Sequence, residues 1–254
     1  MSLKIFTLNI EGDKHLKNIV SFLLSQNFDV VCLQEVFEKD LEEFKVIPNI
    51  HILYSAQRNR KSIIKDIYYN EGCVMITKLS IEDSGEFYYH GSSDIPSNFI
   101  SGSAEHIRRT ESRSLQWIKV KDNERKTFTI MNTHFTWTDD GLINDFQKND
   151  YQILHKKMSE FDDVIICGDF NMPRDRNELY KMFLEDGYVD HIPQNIITSI
   201  DVNIHERGQH LIIGKILQHT MVDYVFSTSN FTAKNFKHHH GLSDHFGIEI
   251  EIKK

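Results

Sequence analysis

The run Val-Ile-Ile-Cys-Gly-Asp-Phe-Asn at residues 164–171 narrows most strongly the folds open to this chain. A short continuous apolar stretch is typical of a strand covered on both faces, and here it ends in a glycine followed by polar residues. Side chains at i and i+2 of an extended segment point the same way, so we expect Asp169 and Asn171 to be presented together at a sheet edge. The carboxylate can hold or take a proton, and the amide can bond an oxygen without adding negative charge. The run therefore predicts a catalytic edge.

Polar side chains stand at or just beyond apolar strands at several other points. They are Asn9, Glu35, His134, Asp223, Asp244 and His245. Carboxylates and amides with few thiols suit a hard divalent cation such as Mg²⁺, with Mn²⁺ as a substitute. Zinc would call for more histidine or thiolate. The sequence therefore predicts a site for an oxygen-seeking divalent ion.

Strands outnumber helices in the residue pattern. Strands are predicted at 3–9, 28–33, 50–54, 73–77, 115–120, 128–133, 164–167, 223–227 and 246–252, and helices at 15–24, 40–44, 141–159 and 176–186. Neighbouring strands such as 115–120 and 128–133 look like antiparallel hairpins, which disfavours a barrel with strict strand and helix alternation. Two packed mixed sheets with helices outside fit better. Residues 55–71 and 84–109 are predicted to be long irregular stretches that shape substrate choice.

Length and composition indicate one soluble domain. At 254 residues and 40% hydrophobic, the chain can bury a full core as a single domain over residues 1–254. The N-terminal apolar segment is short and is soon followed by charged residues, which is not typical of a signal peptide. No stretch approaches the ~18 to 20 apolar residues that span a bilayer. Cys32, Cys73 and Cys167 lie in apolar surroundings and are interpreted as buried reduced thiols. We therefore expect a cytoplasmic protein without stable membrane insertion or an obligate protein partner.

The net charge of −8 argues against bulk binding of duplex nucleic acid. Basic residues are nevertheless grouped, at 58–65 and at 108–113. The group at 58–65 contains Arg58, Arg60, Lys61 and Lys65. It is either a solvated loop or a local track for a phosphate-bearing ligand.

The ordered motifs resemble the endonuclease/exonuclease/phosphatase superfamily. In chain order they are Leu-Asn9-Ile, Leu-Gln-Glu35-Val, Glu71-Gly, Asn132-Thr-His134, Gly-Asp169-Phe-Asn171, Val-Asp223-Tyr and Ser-Asp244-His245. Each motif alone is weak, but the ordered set covers nearly the whole chain. The resemblance implies an α/β fold of the four-layer αββα sandwich type, with two mixed, mainly antiparallel β-sheets flanked by helices.

The resemblance also implies roles at the metal site. Glu35 looks like the principal Mg²⁺ ligand, and Asn9 beside it orients the carboxylate and touches metal-bound water or phosphate. Asp244 resembles the carboxylate that supports the metal site and the neighbouring histidine. His245 looks like the histidine that pairs with Asp223 and promotes attack by water on phosphorus.

Further roles concern the attacking water and the phosphate. Asp169 resembles the residue that orients or deprotonates the water, and Asn171 the one that bonds the phosphoryl oxygen in the transition state. His134 resembles a second histidine that stabilises phosphate charge or protonates the leaving oxygen. Whether Asp169 or His245 activates the water stays open, as does the choice between one metal ion and two.

Other residues have weaker assignments. Glu71 falls where some relatives place a carboxylate partner for His134, and Arg113 where several carry a phosphate-contacting arginine. An ordinary surface arginine is the alternative for Arg113. Trp137 either stacks on a base or sugar or packs within the protein. The histidines at 238–240 are interpreted as incidental, because adjacent residues alternate in direction and rarely ligate one ion together.

Three functional hypotheses follow from this resemblance and these residues. The favoured one is a Mg²⁺-dependent phosphodiesterase acting on nucleic acid, as a nuclease or a DNA-end phosphodiesterase, because of Arg113 and the basic group at 58–65. The alternative keeps the chemistry but changes the substrate to a lipid or small soluble phosphoester. A catalytically inactive binding module is disfavoured because none of the core motif positions is missing.

Overall fold

The computed structural model of the chain describes residues 2–95, 97–122 and 124–254. The strands are β1 (Leu3–Asn9), β2 (Val30–Phe37), β3 (His51–Lys61), β4 (Tyr68–Thr77), β5 (Ile81–His90), β6 (Arg113–Lys121), β7 (Thr127–His134), β8 (Val164–Asp169), β9 (Val189–Asp190), β10 (Asp223–Ser227), β11 (Thr232–His239) and β12 (Gly247–Lys253). The helices are α1 (Leu16–Ser25), α2 (Leu41–Phe44), α3 (Ala104–Thr110), α4 (Asp145–Met158), α5 (Glu178–Glu185) and α6 (Ile213–Leu217), and a 3₁₀ turn (Glu38–Asp40) precedes α2.

The strands form two six-stranded mixed sheets. The first has the order β11-β12-β1-β2-β4-β3 and the second the order β5-β6-β7-β8-β10-β9. Each sheet contains one parallel pair, β1 with β2 and β7 with β8, and the other pairings are antiparallel. The predicted sandwich of two mixed, mainly antiparallel sheets with helices is confirmed.

Apolar side chains hold helices against the outer faces of the sheets. On α1 the buried residues are Leu16, Ile19, Val20 and Leu23. Their helical spacing forms one stripe, which packs on Phe6, Leu8 and Val31 of the first sheet. Each such side chain contributes roughly 1.5–3 kcal/mol when fully buried. A second apolar cluster runs from β1, β2 and β4 through β7 and β8 to α4 and α5. The single domain over residues 1–254 stays a prediction.

A polar contact joins the sheets inside this apolar core. The amide of Asn132 on β7 donates to the carbonyls of Leu33 and Val74 at 3.1 and 3.0 Å. Its Oδ1 accepts from Gln34 Nε2 at 2.8 Å, and both side chains are fully buried. Two motif positions therefore fix the alignment of β2 and β7, which carry site residues.

The prediction of two long irregular stretches was wrong in large part. β3 continues to Lys61 and β4 begins at Tyr68, so most of residues 55–71 forms a hairpin. Residues 84–109 include most of β5 and of α3, although residue 96 lies outside the described residues. Polar side chains at the outer strands conceal the strand pattern there. The three cysteines are free and buried, as predicted.

No helix within the described residues has the length and apolar composition needed to cross a membrane.

Candidate active site

The ends of several strands from both sheets meet at one edge of the sandwich. β1 and β2 end side by side in the first sheet, and β7 and β8 do so in the second. β10 begins at this edge because it runs antiparallel to β8, with Asp223 paired to Asp169. Polar residues predicted at strand ends are thereby brought together from distant parts of the chain.

Asn9 links the two sheets at this edge. Its Nδ2 donates to Glu35 Oε1 at 3.3 Å and to Asp169 Oδ2 at 3.1 Å, so one amide orients carboxylates from both sheets. Its Oδ1 accepts from the backbone N–H of Glu11 at 3.2 Å. The structure therefore places Asn9 as an orienting residue, with its side-chain oxygen already used within the chain.

Asp169 is surrounded by polar groups that can exchange protons with it. His134 Nε2 lies 3.6 Å and His245 Nε2 4.0 Å from its Oδ2. The backbone N–H of Asn171 donates to its Oδ1 at 3.0 Å. Burial, together with the neighbouring Asp223 carboxylate, raises the pKa of Asp169 to about 7. A carboxylate with this pKa can both hold and release a proton near neutral pH.

The backbone around Asp169 explains the residues that flank it. A Cβ at Gly168 would lie 1.9 Å from the Thr133 carbonyl oxygen, so only glycine fits between β7 and β8 at this point. Asn171 adopts a positive φ of 50°, which asparagine tolerates better than most residues. Its Nδ2 donates one hydrogen to the Phe135 carbonyl at 2.9 Å, and the second amide hydrogen is available to another acceptor.

His245 and Asp223 form a tightly held pair. His245 Nδ1 lies 2.7 Å from Asp223 Oδ2, which fixes the ring. Burial alone would lower the pKa of His245, but the Asp223 carboxylate outweighs it and raises the pKa well above its usual value. The ring therefore carries a proton on each nitrogen at neutral pH, and Nδ1 donates to Asp223. Among the described residues, Asp223 Oδ1 is buried without a hydrogen-bond partner.

His134 is neutral, in contrast to the charged His245. Burial, with the nearby Arg113 guanidinium, lowers the pKa of His134 well below its usual value. The ring is therefore neutral at neutral pH, with one nitrogen able to donate and the other to accept. Its backbone carbonyl accepts from Arg113 Nη1 at 3.0 Å and from the Tyr89 hydroxyl at 3.3 Å, which anchors this end of β7.

Glu35 projects from an irregularity in β2. The register between β2 and β4 shifts between Leu33 and Val36, and Glu35 has a positive φ of 58°. A bulge of this kind re-aims one side chain without ending the strand. Burial would raise the pKa of Glu35, but the guanidinium groups of Arg58 and Arg60 hold it well below its usual value. Glu35 is therefore an ionised carboxylate.

Two arginines of β3 bridge Glu35 to a second, more deeply buried carboxylate. Arg58 Nη2 lies 3.0 Å from Glu35 Oε1, and its Nε donates to Glu71 Oε2. Arg60 Nη1 lies 2.5 Å from Glu35 Oε2 and 3.1 Å from Glu71 Oε1. These four residues, which we call the double ion pair, balance two negative and two positive charges.

The double ion pair differs from two sequence expectations. Glu71 was expected to accompany His134, but its carboxylate binds Arg58 and Arg60 instead. Both arginines belong to the basic group at 58–65, and their side chains turn inward, whereas Lys61 is exposed and paired with Asp66. The reason is a bulge at Gln57. Because of this extra residue, Arg58 and Arg60 project from the same face of the sheet as Glu71.

Arg113 is not the ordinary surface arginine of one of its two interpretations, and its contacts differ from those expected of a phosphate-contacting arginine. It is only 2% exposed, and its Nε and Nη2 donate to Glu111 Oε1 and Oε2 at 2.9 and 2.7 Å. With Nη1 bonded to the His134 carbonyl, all three of its nitrogens have partners inside the protein. Arg113 therefore positions His134, although part of it reaches the cavity wall. Glu111, its partner, carried no recognisable sequence signal.

Asp244 lies beside this group and not on the wall of the cavity described below. Ser243 Oγ donates to its Oδ1 at 3.1 Å. Burial, with the carboxylates of Glu11 and Glu35, raises the pKa of Asp244, while the charge of His245 opposes the shift. Mutual repulsion between Asp244 and Glu35 means that a cation between them would be stabilised by both.

The available donors fit a hard divalent cation. Glu35 and Asp244 offer carboxylate oxygens, and none of the three cysteines lines the cavity wall. Ligand atoms of Asp169, Asp223 and His245 also lie within 4.8 Å of one another. The hydrogen bond between His245 and Asp223 already uses two facing atoms, so this second group suits proton transfer better than metal binding.

These side chains surround a cavity of about 300 Å³. Its wall consists of Asn9, Glu35, Arg58, Arg60, Phe99, Ile107, Arg113, His134, Trp137, Asp169, Asn171 and His245. Phe99 and Ile107 come from the stretch predicted to be irregular, and neither was recognised from the sequence. Trp137 lines the cavity, in keeping with one of its two interpretations. The histidines at 238–240 are not part of the wall.

The sandwich and this group of residues together define a phosphoesterase fold. Residues 6–245 match the sequence model of the Endonuclease/Exonuclease/phosphatase family, and the chain belongs to that family. The resemblance noted from the motifs is thereby confirmed. No curated protein matches the chain in sequence.

Solved structures with this fold span the whole chain at low sequence identity. An endonuclease/exonuclease/phosphatase from Bacteroides vulgatus has a TM-score of 0.72 and 18% identity, covering 100% of this chain and 99% of its own. A mannosyl-6-phosphatase from Bacteroides thetaiotaomicron has a TM-score of 0.69 and 17% identity, covering 100% of each chain. TDP2 from D. rerio, complexed with a single-strand DNA product, has a TM-score of 0.70 and 15% identity, covering 100% of this chain and 99% of its own. At these identities the likeness establishes the fold.

Proposed function

We propose that this protein hydrolyses phosphoester bonds by in-line attack of water on phosphorus. The reaction requires a divalent metal ion, and Mg²⁺ is the preferred candidate. One observation carries the proposal. Asp169 lies between two histidines, one charged and one neutral. Asn9 links Asp169 to the ionised Glu35 by hydrogen bonds in the same small cavity. Such an arrangement holds a proton acceptor, proton donors and a cation ligand within reach of one substrate group.

Glu35 and Asp244 would hold the metal ion, with Asn9 orienting Glu35. When bound, the ion would stabilise negative charge that develops on the phosphoryl oxygens. Support comes from the oxygen donors and from the raised pKa of Asp244, which reflects burial and uncompensated negative charge.

Asp169 takes the proton of the attacking water in this proposal. Its pKa of about 7 makes it a stronger base than an exposed aspartate while leaving much of it ionised near neutral pH. His245 is already charged through its pair with Asp223, so it serves as a donor to a phosphoryl or leaving oxygen. This assignment chooses between the two candidates for water activation.

Asn171 and His134 complete the contacts to the phosphate. Asn171 has an unused amide hydrogen, and neutral His134 can donate from one ring nitrogen without requiring a charge. Donors fixed by other contacts before the reaction stabilise developing negative charge because they need little reorganisation.

For the substrate we propose a terminal phosphoester, and we place nucleic-acid ends first. A cavity of about 300 Å³ is at the small end of ligand sites, so it admits a phosphate and one attached group. The aromatic rings of Phe99 and Trp137 at the wall offer flat surfaces for a base or an aryl group. A DNA-end phosphodiesterase accords with both features and with the DNA product bound by D. rerio TDP2.

A small soluble phosphoester, such as a sugar phosphate, is the second candidate. The same cavity volume favours it, and so does the structural similarity to the mannosyl-6-phosphatase.

A substrate panel tests the proposal. It contains single-stranded DNA with a 5′-tyrosyl end, intact duplex DNA, RNA, mannose 6-phosphate, inositol phosphates and sphingomyelin vesicles, each with Mg²⁺ and with EDTA. We expect Mg²⁺-dependent cleavage of a terminal phosphoester that is lost in Asp169→Asn. Cleavage that persists in EDTA or in Asp169→Asn would refute the proposed chemistry, and internal cleavage of duplex DNA would refute the substrate class.

A further inference from the structure

The double ion pair presents a conflict at the site proposed for the metal. Both carboxylate oxygens of Glu35 already contact guanidinium groups, Oε1 that of Arg58 and Oε2 that of Arg60. A carboxylate oxygen offers about two acceptor positions, and both at Glu35 Oε1 are taken, by Asn9 Nδ2 and Arg58 Nη2. A cation would therefore enter at Oε2, beside the Arg60 guanidinium, where the two positive charges repel each other. Binding of a cation at Glu35 therefore favours departure of Arg60.

Arg58 is firmly held. It pairs directly across the strands with Glu71, and its Nε donates to that carboxylate. Its guanidinium also stacks on the Phe99 ring, 4.6 Å from the centroid. Its side chain is only 10% exposed. Moving Arg58 would break contacts on three sides.

Arg60 is better placed to move. Its side chain is 20% exposed, twice as much as that of Arg58. The closest contact in each of its ion pairs is made by Nη1, and within the described chain its Nε and Nη2 have no hydrogen-bond partner. Its guanidinium lines the cavity in which we place the phosphate. Arg60 therefore has free donors at the point where an anion would arrive.

Movement of Arg60 does not leave the buried carboxylate of Glu71 unpaired, because Arg58 also contacts it. The Glu71 side chain is 1% exposed, and it contacts both arginines. When Arg60 leaves Glu35, the contact of Arg58 with Glu71 remains. An unpaired buried charge is strongly unfavourable, so a retained partner is what makes the exchange accessible.

On these grounds we propose that Arg60 exchanges partners: it neutralises Glu35 in the resting site, and it binds a phosphate oxygen of the substrate once a divalent cation occupies Glu35. This inference rests on the proposed function, because it assumes a cation at Glu35 and a phosphate in the cavity. A planar guanidinium can contact two phosphate oxygens at once, which suits the free Nε and Nη2.

The exchange couples the two ligands. In the absence of phosphate, Arg60 competes with the cation for Glu35, and in the absence of cation, Glu35 competes with phosphate for Arg60. Each ligand therefore raises the affinity for the other, and linkage requires the two enhancements to be equal. Removal of Arg60 should tighten cation binding while weakening phosphate binding.

Calorimetric titration of the full chain with Mg²⁺, and then with inorganic phosphate at saturating Mg²⁺, tests this. Lys61→Met is the matched control, since it removes the same charge from the next, exposed residue of β3. We expect Arg60→Met to bind Mg²⁺ at least about tenfold tighter than the wild type, and Lys61→Met to remain within about threefold, as a screened charge at longer range would. With Mg²⁺ bound, phosphate affinity should fall at least about tenfold in Arg60→Met only.

Mg²⁺ affinity of Arg60→Met equal to that of Lys61→Met, or phosphate affinity unchanged from the wild type, would overturn the exchange. Arg60→Gln replaces Arg60→Met if the latter fails to unfold cooperatively. Turnover of the wild type separates this inference from the proposed function. Hydrolysis without the affinity shifts retains the function and rejects the exchange, whereas the affinity shifts without hydrolysis retain the exchange and reject the function.

Discussion

At the scale of single residues, the site holds neighbouring groups in unlike protonation states. Burial acts on all of them, and the adjacent charges overcome it at Glu35 and His245 but add to it at Asp169. Glu35 stays ionised because Arg58 and Arg60 contact it, whereas Asp169 beside Asp223 has a raised pKa. His245 is charged because it faces Asp223. These protonation states therefore depend on partners that the sequence places far apart.

Asp169→Asn should abolish most of the hydrolysis while leaving the fold intact. The amide keeps the shape and, through its oxygen, the hydrogen bond from Asn9, while it loses the one from the Asn171 N–H. It cannot accept a proton, so we expect turnover to fall by about 10²–10⁴-fold. Steady-state kinetics on the cleaved member of the panel measures this. Asp175→Asn, an exposed change in the loop after β8, is the control and should retain wild-type turnover.

In EDTA, the stability of Asp169→Asn relative to that of the wild type should increase as pH rises. The pKa of Asp169 is about 7 in the folded protein against a usual value of 3.8, so below pH 3.8 both states are protonated and this group costs no stability. Between these values the unfolded state loses its proton first, and stability of the wild type falls. The difference in the free energy of unfolding, Asp169→Asn minus wild type, should grow from pH 4 to pH 7 in urea titrations. A difference that is constant with pH would contradict the raised pKa.

His245 should remain charged above the usual titration range of histidine. Its pKa is raised by Asp223, so its contribution to stability is complete below the unfolded value and is lost as pH rises through the folded one. NMR titration of the ring Cε1–H of the metal-free protein should show no deprotonation of His245 through pH 7. In Asp223→Asn the transition should move to lower pH, and an unchanged transition would refute the pairing as the cause.

At the scale of secondary-structure elements, two bulges decide which side chains enter the site. The strand end at Asp169 was predictable from the apolar run of β8, whereas Asn171 lies beyond the strand with a positive φ, so it shares the cavity with Asp169 without the predicted alternation. Glu35 was placed by its motif, although its bulge was not foreseen. Arg58 and Arg60 were noted as part of a basic group, but their pairing with Glu35 and Glu71 was not foreseen, because the extra residue Gln57 reverses the alternation that a strand pattern assumes.

Longer-range packing explains the other differences from the sequence expectations. Phe99 and Ile107 reach the cavity from a segment whose polar composition concealed β5 and α3. Glu71 and Arg113 were noted from family motifs, but their partners depend on contacts that no local pattern encodes. Most strands and the ordered motifs were thus predictable, whereas β5, β9, β11 and the ion-pair partners were not.

The contact between Asn132 and Gln34 should be a major source of stability between the two sheets. Asn132→Leu would leave the Leu33 and Val74 carbonyls without their partner inside the core. Each buried unsatisfied group costs about 1–3 kcal/mol, so we expect a loss of ~2–5 kcal/mol in the free energy of unfolding. Urea denaturation measures it. Asn18→Ala on the exposed face of α1 should change stability by less than about 0.5 kcal/mol, and an equal effect of both substitutions would contradict the assigned role of this contact.

At the scale of the whole molecule, the fold assigns the chain to its family, and in our proposal the cavity limits the substrate. Two sheets with parallel pairs at corresponding positions bring strand ends to one edge, and all the motif residues lie at or near it. Proteins with this fold act on unrelated molecules, as the mannosyl-6-phosphatase and TDP2 with its bound single-strand DNA product illustrate. In our proposal, the small cavity lined in part by Phe99 and Ile107 selects among such substrates.

Mg²⁺ should stabilise the whole fold through Glu35. A ligand that binds only the native state raises the free energy of unfolding by about 2.7 kcal/mol at a concentration of 100 times its dissociation constant. We therefore expect the thermal midpoint of the wild type to rise with Mg²⁺ and that of Glu35→Gln to stay constant. Glu178→Gln, at the exposed start of α5, should respond like the wild type. Equal responses of Glu35→Gln and the wild type would place the ion elsewhere.

The most direct test of the central claim is the rate of phosphoester hydrolysis across the substrate panel, measured with Mg²⁺, with EDTA and with Asp169→Asn. Our account predicts cleavage of a terminal phosphoester that requires Mg²⁺ and disappears in the variant. Equal rates with EDTA, equal rates in Asp169→Asn, or no cleavage of any member by protein that binds Mg²⁺ would contradict it.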